Sequence, residues 1–277
     1  MAYPTIDAPY GLRPINLIGG VPFAGAVRQL PIQYDYRTNI FNGDFVKVVR
    51  GNVERLAVTN DADDSGMIGV FLGCSYTDAT SKQKTFSQHY PSGTQAGDIM
   101  AYIAEDPDTV YTAVVCSTGT TVASGNNALI GQNQRMLNNT GSTTTGNSKN
   151  AVHIGNTLTT AAFPVRIVGV VDETKKTTTV TGSSSSTTIT CTALPNAIPH
   201  GTDVAYLDSA GQIIQSASFV SVAAAAGATS VTINSAIAVP GSVTAIPASS
   251  TILFREYPEV KIKVNFAIHS YQDATAV

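Results

Sequence analysis

The chain has 277 residues, enough for one large all-β domain or two smaller ones. Charged residues make up 13% of it, about half of the usual share, and Thr, Ser, Gly and Ala replace them, as is typical of β-rich extracellular and virion proteins. A formal net charge of −3 gives no basic field for nucleic acid. Neither a signal peptide nor a membrane-length apolar run is visible, so we expect a soluble protein made in a cytoplasm.

Residues 1–40 are predicted to form an extended N-terminal arm. The segment is apolar, but Pro14, Gly19, Gly20 and Pro22 interrupt it too often for a helix or a long regular strand. An apolar arm has to be covered by something. It lies against a neighbouring subunit or a larger assembly, or it folds back over its own barrel and covers the core.

Residues 41–174 and 252–277 are predicted to form one β-barrel or sandwich domain. Asn42-Gly43-Asp44 indicates a turn before an alternating strand. Residues 126–150, rich in Asn, Thr and Gly, are interpreted as a long surface loop with at most one short helical segment. The remaining strands are expected at Phe45–Val49, Gly66–Tyr76, Gly97–Ile103, Val110–Cys116, Phe163–Val171 and Val260–Ile268.

Residues 175–251 are predicted to be a module inserted into that domain. The tract Lys175–Thr188 has the composition of a linker. After it, Thr187-Thr-Ile-Thr and Thr229-Ser-Val-Thr begin two similar segments. Two copies are too few for a solenoid, so we expect a small β-sandwich built from similar halves.

No catalytic or metal-binding constellation is visible. The three cysteines, Cys74, Cys116 and Cys191, form no CxxC pair and are expected to be buried free thiols. The run from Asp61 to Gly66 has the spacing of a calcium loop, but Leu72 stands where the twelfth-position Glu belongs. The four histidines are scattered, and the Glu105-Asp106 and Asp172-Glu173 pairs are adjacent residues that a strand points to opposite faces. The sequence therefore predicts a protein that is not an enzyme and takes neither cofactor nor metal.

Two stretches carry a resemblance to a known family. They are Ala8-Pro-Tyr-Gly-Leu-Arg-Pro-Ile-Asn-Leu-Ile-Gly-Gly and, after Tyr34, Thr38-Asn-Ile-Phe-Asn-Gly-Asp-Phe-Val46. Together they resemble the N-terminal part of tailed-phage virion proteins, often the small capsid decoration (cement) proteins. The resemblance covers the first 50 or so residues well and the rest of the first domain loosely.

The resemblance implies a homotrimer or dimer on the outer surface of a phage head, in contact with the major capsid protein. It implies that the arm binds the shell or a neighbouring subunit and stabilises the head against internal DNA pressure. The resemblance implies no contact with a membrane and none with nucleic acid. The side chains expected to make the capsid or intersubunit contact are Leu12, Arg13, Pro14, Ile15, Leu17, Ile18, Val21, Phe23 and Arg28.

Two other functions stay open. One is a structural protein of the tail or neck with the same barrel. The other is a host-surface adhesin that binds carbohydrate through the inserted module, although the absence of Trp and the scarcity of aromatic residues there oppose it. A hydrolase is a distant third, because no nucleophile and base can be named.

Overall fold

The structure is a computed structural model, and it describes residues 6–25, 27–57, 66–154, 163–184, 186–234, 245–265 and 269. The described residues are nearly all in strands, turns and loops, which confirms the all-β prediction. In the described part of the chain, two short 3₁₀ helices, Asn127–Leu129 and Asp172–Thr174, interrupt the strands. No helix in these ranges has the length and apolarity that a membrane span requires.

The chain divides into two compact units. The larger comprises residues 6–171 and 258–277, and the smaller comprises residues 172–257. The smaller unit thus interrupts the larger one in sequence.

In its described residues, the larger unit contains fifteen strands. They are β1 (Arg13–Leu17), β2 (Arg28–Pro31), β3 (Ile40–Phe41), β4 (Phe45–Val49), β5 (Asn52–Arg55), β6 (Met67–Thr77), β7 (Lys84–Ser87), β8 (His89–Tyr90), β9 (Met100–Ala104), β10 (Thr109–Thr118), β11 (Thr121–Val122), β12 (Asn133–Leu137), β13 (Ala151–His153), β14 (Val165–Val170) and β21 (Glu259–Val264).

One sheet of this unit is a closed circuit of strand pairs. β10 pairs with β13, β13 with β12, β12 with β14, β14 with β21, and β21 pairs with β10 again. β13 reaches β10 only at Val115 and Cys116, and β1 from the N-terminal arm pairs with β10 over residues 109–112. Alternating residues such as Tyr111, Ala113 and Val115 fill the interior, as expected for strands with one buried face.

The second sheet of the larger unit has the order β2-β9-β6-β4-β5, and β7 also pairs with β6. The long strand β6 is central because its run of apolar residues suits burial on both faces. β2, the second strand of the arm, pairs with β9. A separate two-stranded pair, β3 with β8, flanks this sheet's apolar cluster, which includes Ile40, Phe71 and Tyr90.

The smaller unit is one six-stranded sheet rolled upon itself, of order β15-β20-β17-β18-β19-β16. Its strands are β15 (Lys176–Thr179), β16 (Thr188–Thr190), β17 (Asp203–Leu207), β18 (Ile213–Val222), β19 (Ser230–Ile233) and β20 (Thr251–Phe254). A bridge between Val180 and Cys191 joins the two ends of that order. The two similar sequence segments meet here, because β16 from the first copy pairs antiparallel with β19 from the second.

Two sequence interpretations are wrong in detail. The tract Lys175–Thr188 is not a free linker, since β15 pairs with β20 and Thr178 is buried. Residues 126–150 are not simply a surface loop, since they contain β12 and the buried side chains of Ser148 and Asn150. Polar composition hid both features, because a strand or a buried loop can be built from Thr, Asn and Ser when its polar groups are hydrogen-bonded.

The three cysteines are free and buried, as predicted. Burial raises the pKa of the thiols of Cys74 and Cys116, to about 12 and about 11 respectively. Both therefore stay protonated and behave as small apolar side chains near neutral pH.

Candidate functional site: the N-terminal arm and its anchor

The arm lies on its own domain in this structure. β1 pairs antiparallel with β10, and Leu12 is completely buried in the main apolar cluster of the larger unit. Phe23 packs against the same cluster. The chain therefore follows, at least for these residues, the alternative in which the arm covers its own core.

The nine predicted contact residues do not form one surface. Leu12 has no exposed area, so it is excluded from any intermolecular contact in this conformation. Pro14, Ile15, Leu17 and Phe23 are half-buried, whereas Arg13, Ile18, Val21 and Arg28 are exposed. Arg28 lies on β2, where its guanidinium is 3.2 Å from the Glu105 carboxylate.

Ile18 and Val21 occupy the tip of a tight hairpin. The Leu17 nitrogen donates to the Val21 carbonyl at 2.7 Å, and the Ile18 nitrogen donates to the Asp108 carbonyl at 2.9 Å. Gly19 and Gly20 have φ angles of +99° and +86°, a conformation that residues with a Cβ rarely adopt. The turn holds Ile18 at 50% and Val21 at 60% exposure, so two large apolar side chains face outward from a fixed backbone.

An aromatic and ionic cluster holds the start of the arm. The Tyr10 hydroxyl donates to the Glu259 carboxylate at 2.5 Å, and the Arg13 guanidinium lies 4.4 Å from the centre of the Tyr10 ring. Burial and the Glu259 carboxylate raise the pKa of Tyr10 well above its ordinary value, so the phenol stays a donor. Tyr10 thereby ties the arm to β21.

Two glycines allow the arm to approach the turn before β4. The Leu12 nitrogen donates to the Gly43 carbonyl at 3.2 Å. A Cβ on Gly11 would lie 2.6 Å from the Ser148 Cβ, and a Cβ on Gly43 would lie 2.7 Å from the Leu12 nitrogen. Gly11 and Gly43 also have φ angles of +82° and +92°. The two stretches that carry the family resemblance therefore meet in space at these glycines.

A buried carboxylate lies directly below this contact. Asp44 has no exposed area, and one of its oxygens accepts from the Phe41 nitrogen and the Arg55 Nε, both at 2.9 Å. The other oxygen accepts from the Ser148 hydroxyl at 2.6 Å and the Asn150 amide at 3.0 Å. Burial raises the pKa of Asp44, although the Arg55 guanidinium and the hydrogen bonds oppose that shift. The carboxylate has four donors, which is what a buried charge needs to be retained.

The network continues into residues 138–150. The Arg55 guanidinium donates to the Asn138 side-chain oxygen at 2.6 Å and to the Asn139 carbonyl at 3.1 Å. The Asn139 amide donates in turn to the carbonyls of Gly119 and Lys149, both at 2.8 Å. Asn138 is thus a structural partner of Arg55. Only the turn signal at residues 42–44 hinted at this network, because its other members are far apart in sequence.

The other chemical candidates are not brought together. Within the described ranges, no group of three or more His, Cys, Asp and Glu side chains is placed to hold a metal ion. Residues 61–65 of the calcium-like run lie outside those ranges. His89 stacks on Phe41 with ring centres 5.7 Å apart, and the His269 ring is 3.0 Å from the Glu105 carbonyl. Neither adjacent acidic pair lies in a strand, because Glu105 and Asp106 follow the end of β9 and Asp172 and Glu173 lie in a 3₁₀ helix.

Comparison with protein-family models, with curated proteins and with solved structures finds no match for this chain. Its function has to be argued from the site itself.

Proposed function

We propose that this chain is a non-enzymatic virion structural protein, a capsid decoration protein that binds the outside of a phage head and stabilises the shell. The observation that carries the proposal is the anchored hairpin, which presents Ile18 and Val21 to solvent. The resemblance of residues 8–20 and 38–46 to phage virion proteins supplies the identity of the partner, the major capsid protein.

The composition of the hairpin supports a contact with protein. No side chain from Pro14 to Val27 is charged, and Ile18, Val21 and Val27 are all at least 41% exposed. Exposed apolar side chains grouped in one uncharged segment are typical of interaction sites, because single exposed apolar residues are usually separated by charges.

The anchor supports binding without a large loss of conformational freedom. Buried Leu12, the Tyr10–Glu259 hydrogen bond and the Asp44 network fix the base of the arm before any partner is met. A rigid hairpin loses less entropy on docking than a flexible arm, so a small contact can still give useful affinity. Many such subunits around a shell would add their contributions.

The proposed contact surface is therefore smaller than the nine residues expected from sequence. It consists of the hairpin tip at Ile18 and Val21, extended by the half-buried Ile15 and Leu17 and by the exposed Arg13 and Arg28. We propose a homotrimer as the form that binds the head, with neighbouring subunits also meeting through this arm.

The adhesin alternative is disfavoured by the aromatic residues of the inserted unit. The rings of Tyr206, Phe254 and Tyr257 are at most 4% exposed, and Phe219 is 39% exposed. A carbohydrate site built on stacking needs exposed rings, and the described part of residues 172–257 offers one. The tail or neck alternative predicts a different position in the virion. Imaging of particles that carry a labelled chain would then show the label on the tail or neck and not on the head.

The test is a binding assay with undecorated heads of the phage that carries this protein. We expect the wild-type chain to bind and to raise the temperature at which the heads disrupt. Ile18→Asp combined with Val21→Asp should abolish binding, because docking would bury two carboxylates without partners.

Phe86→Asp is the matched control for this assay. Phe86 is 74% exposed on β7, away from the arm in sequence, and is expected to leave binding unchanged. Solution mass and circular dichroism should show that all variants fold as the wild type does. The proposal would be contradicted if the double variant bound the heads as well as the wild-type chain does, or if the wild-type chain did not bind them.

A further inference from the structure

Asn42 and Gly43 form the one Asn-Gly dipeptide of the sequence. In such a pair the glycine backbone nitrogen can attack the carbonyl carbon, Cγ, of the asparagine side chain. A C–N bond forms, ammonia leaves, and water then opens the resulting succinimide to aspartate or isoaspartate. Glycine favours this attack because it has no Cβ to obstruct the approach and explores many backbone angles.

The fold requires both residues of this reactive pair. Gly43 has a φ of +92°, and a Cβ there would lie 2.7 Å from the Leu12 nitrogen. The Asn42 side-chain nitrogen donates to the Leu72 carbonyl at 2.7 Å, a bond that a carboxylate cannot make. The site therefore has to contain the dipeptide that is chemically most labile.

The same fold engages the reacting groups in hydrogen bonds to other residues. The Gly43 nitrogen, which would be the nucleophile, donates to the Phe71 carbonyl at 2.8 Å. The Asn42 side-chain nitrogen, which would leave as ammonia, is bound to Leu72. The Asn42 backbone is fixed on both sides, because its nitrogen donates to Gly146 at 3.0 Å and its carbonyl accepts from Ser148 at 2.8 Å. Attack requires these bonds to open together.

We propose that Asn42 is a deamidation site which β6 and residues 146–148 restrain, and which the arm restrains further through the Leu12 nitrogen bond to the Gly43 carbonyl. We propose also that conversion prevents the arm from docking again. After conversion, a carboxylate at position 42 would face the Leu72 carbonyl, so two acceptors would meet. It would also add a negative charge next to buried Asp44. An isoaspartate would lengthen the backbone where Gly11 and Gly43 are in close contact.

The restraint is tested by peptide mapping of the full chain during incubation at mildly alkaline pH. Conversion at Asn42 should be at least about tenfold faster in urea than in buffer, because only the opened chain reacts. Leu12→Ala, which weakens the arm's buried anchor, should give an intermediate rate. Ile18→Ala is the matched control, since that side chain is half exposed on the same arm, and should react as slowly as the wild type. Equal rates in buffer and urea would overturn the restraint.

The consequence is tested with Asn42→Asp, which reproduces one product. Amide hydrogen exchange along β1 should become faster in this variant, and its thermal midpoint should fall. Asn52→Asp is the control, because the Asn52 amide makes only a long 3.4 Å bond to Arg50 at the chain surface. Unchanged exchange in Asn42→Asp would refute the loss of docking. Neither measurement involves phage heads, so failure here is distinct from failure of the proposed function.

Discussion

At the scale of single residues, Asp44 is the buried charge that holds the turn which the arm approaches at Gly43. Asp44→Ala is expected to destabilise the chain by roughly 3 kcal/mol, because it leaves the partly buried Arg55 guanidinium without its charge partner and removes an acceptor from Ser148 and Asn150. Urea unfolding of the purified chain measures this loss.

The comparison for Asp44→Ala is Asp98→Ala. Asp98 also forms an ion pair, at 2.8 Å from the Lys84 nitrogen, but both side chains are more than 40% exposed. Solvent screens such a pair, and the two bonds that Asp98 accepts from Thr77 are also at the surface, so its removal should cost clearly less stability than the removal of Asp44. Equal effects of the two substitutions would show that the Asp44 network is not the anchor.

A second residue-scale prediction concerns His269. Burial lowers the pKa of its imidazole below the ordinary value of 6.5, so the folded chain favours the neutral ring. The resulting contribution to stability is present above pH 6.5 and is lost as pH falls through the lower folded pKa. The stability difference between wild type and His269→Gln should therefore shrink on acidification, measured as urea midpoints across that range. Parallel pH curves for the two chains would contradict it.

At the scale of elements, the hairpin after β1 depends on backbone conformation more than on packing. A Cβ at Gly19 or Gly20 would meet no atom within 4 Å, yet both residues have positive φ. Gly20→Ala is expected to cost about 1–2 kcal/mol through strain alone. In the same hairpin, Ile18→Ala should change the free energy of unfolding by no more than about 0.5 kcal/mol, because that side chain is already exposed. Thermal unfolding of the two variants separates strain from lost contacts.

The anchor of this element should behave in the opposite way. Leu12→Ala removes a fully buried side chain from the main apolar cluster and is expected to destabilise the chain by about 2–5 kcal/mol. A loss comparable to that of Ile18→Ala would show that the arm is not seated on the core in solution.

At the scale of the whole molecule, the two units should fold independently. The buried apolar side chains of residues 180–254 form a cluster of their own, and β14 pairs with β21 on either side of the insertion. Replacing residues 172–257 by a short Asn-Gly turn should leave the larger unit folded, since a hairpin of β14 and β21 needs only a tight connection. Circular dichroism and cooperative unfolding of both fragments measure this. An unfolded larger fragment would contradict it.

The sequence by itself determined the all-β character, the buried free thiols and the turn at residues 42–44. These features follow from local rules, namely alternation of apolar residues, cysteine spacing, and the backbone freedom of glycine. The sequence also indicated that Tyr10-Gly11-Leu12 and Asn42-Gly43-Asp44 matter, without showing that they touch.

Only the tertiary structure decided where the arm goes and what holds it. Pairing of β1 with β10 joins residues about one hundred positions apart, and Asp44 finds Ser148 and Asn150 at a similar separation. No local propensity encodes such contacts, because each polar residue of the 138–150 segment also suits a solvated loop. The exposure of Ile18 and Val21 is decided in the same way, since the burial of an apolar side chain depends on which surfaces the rest of the chain brings beside it.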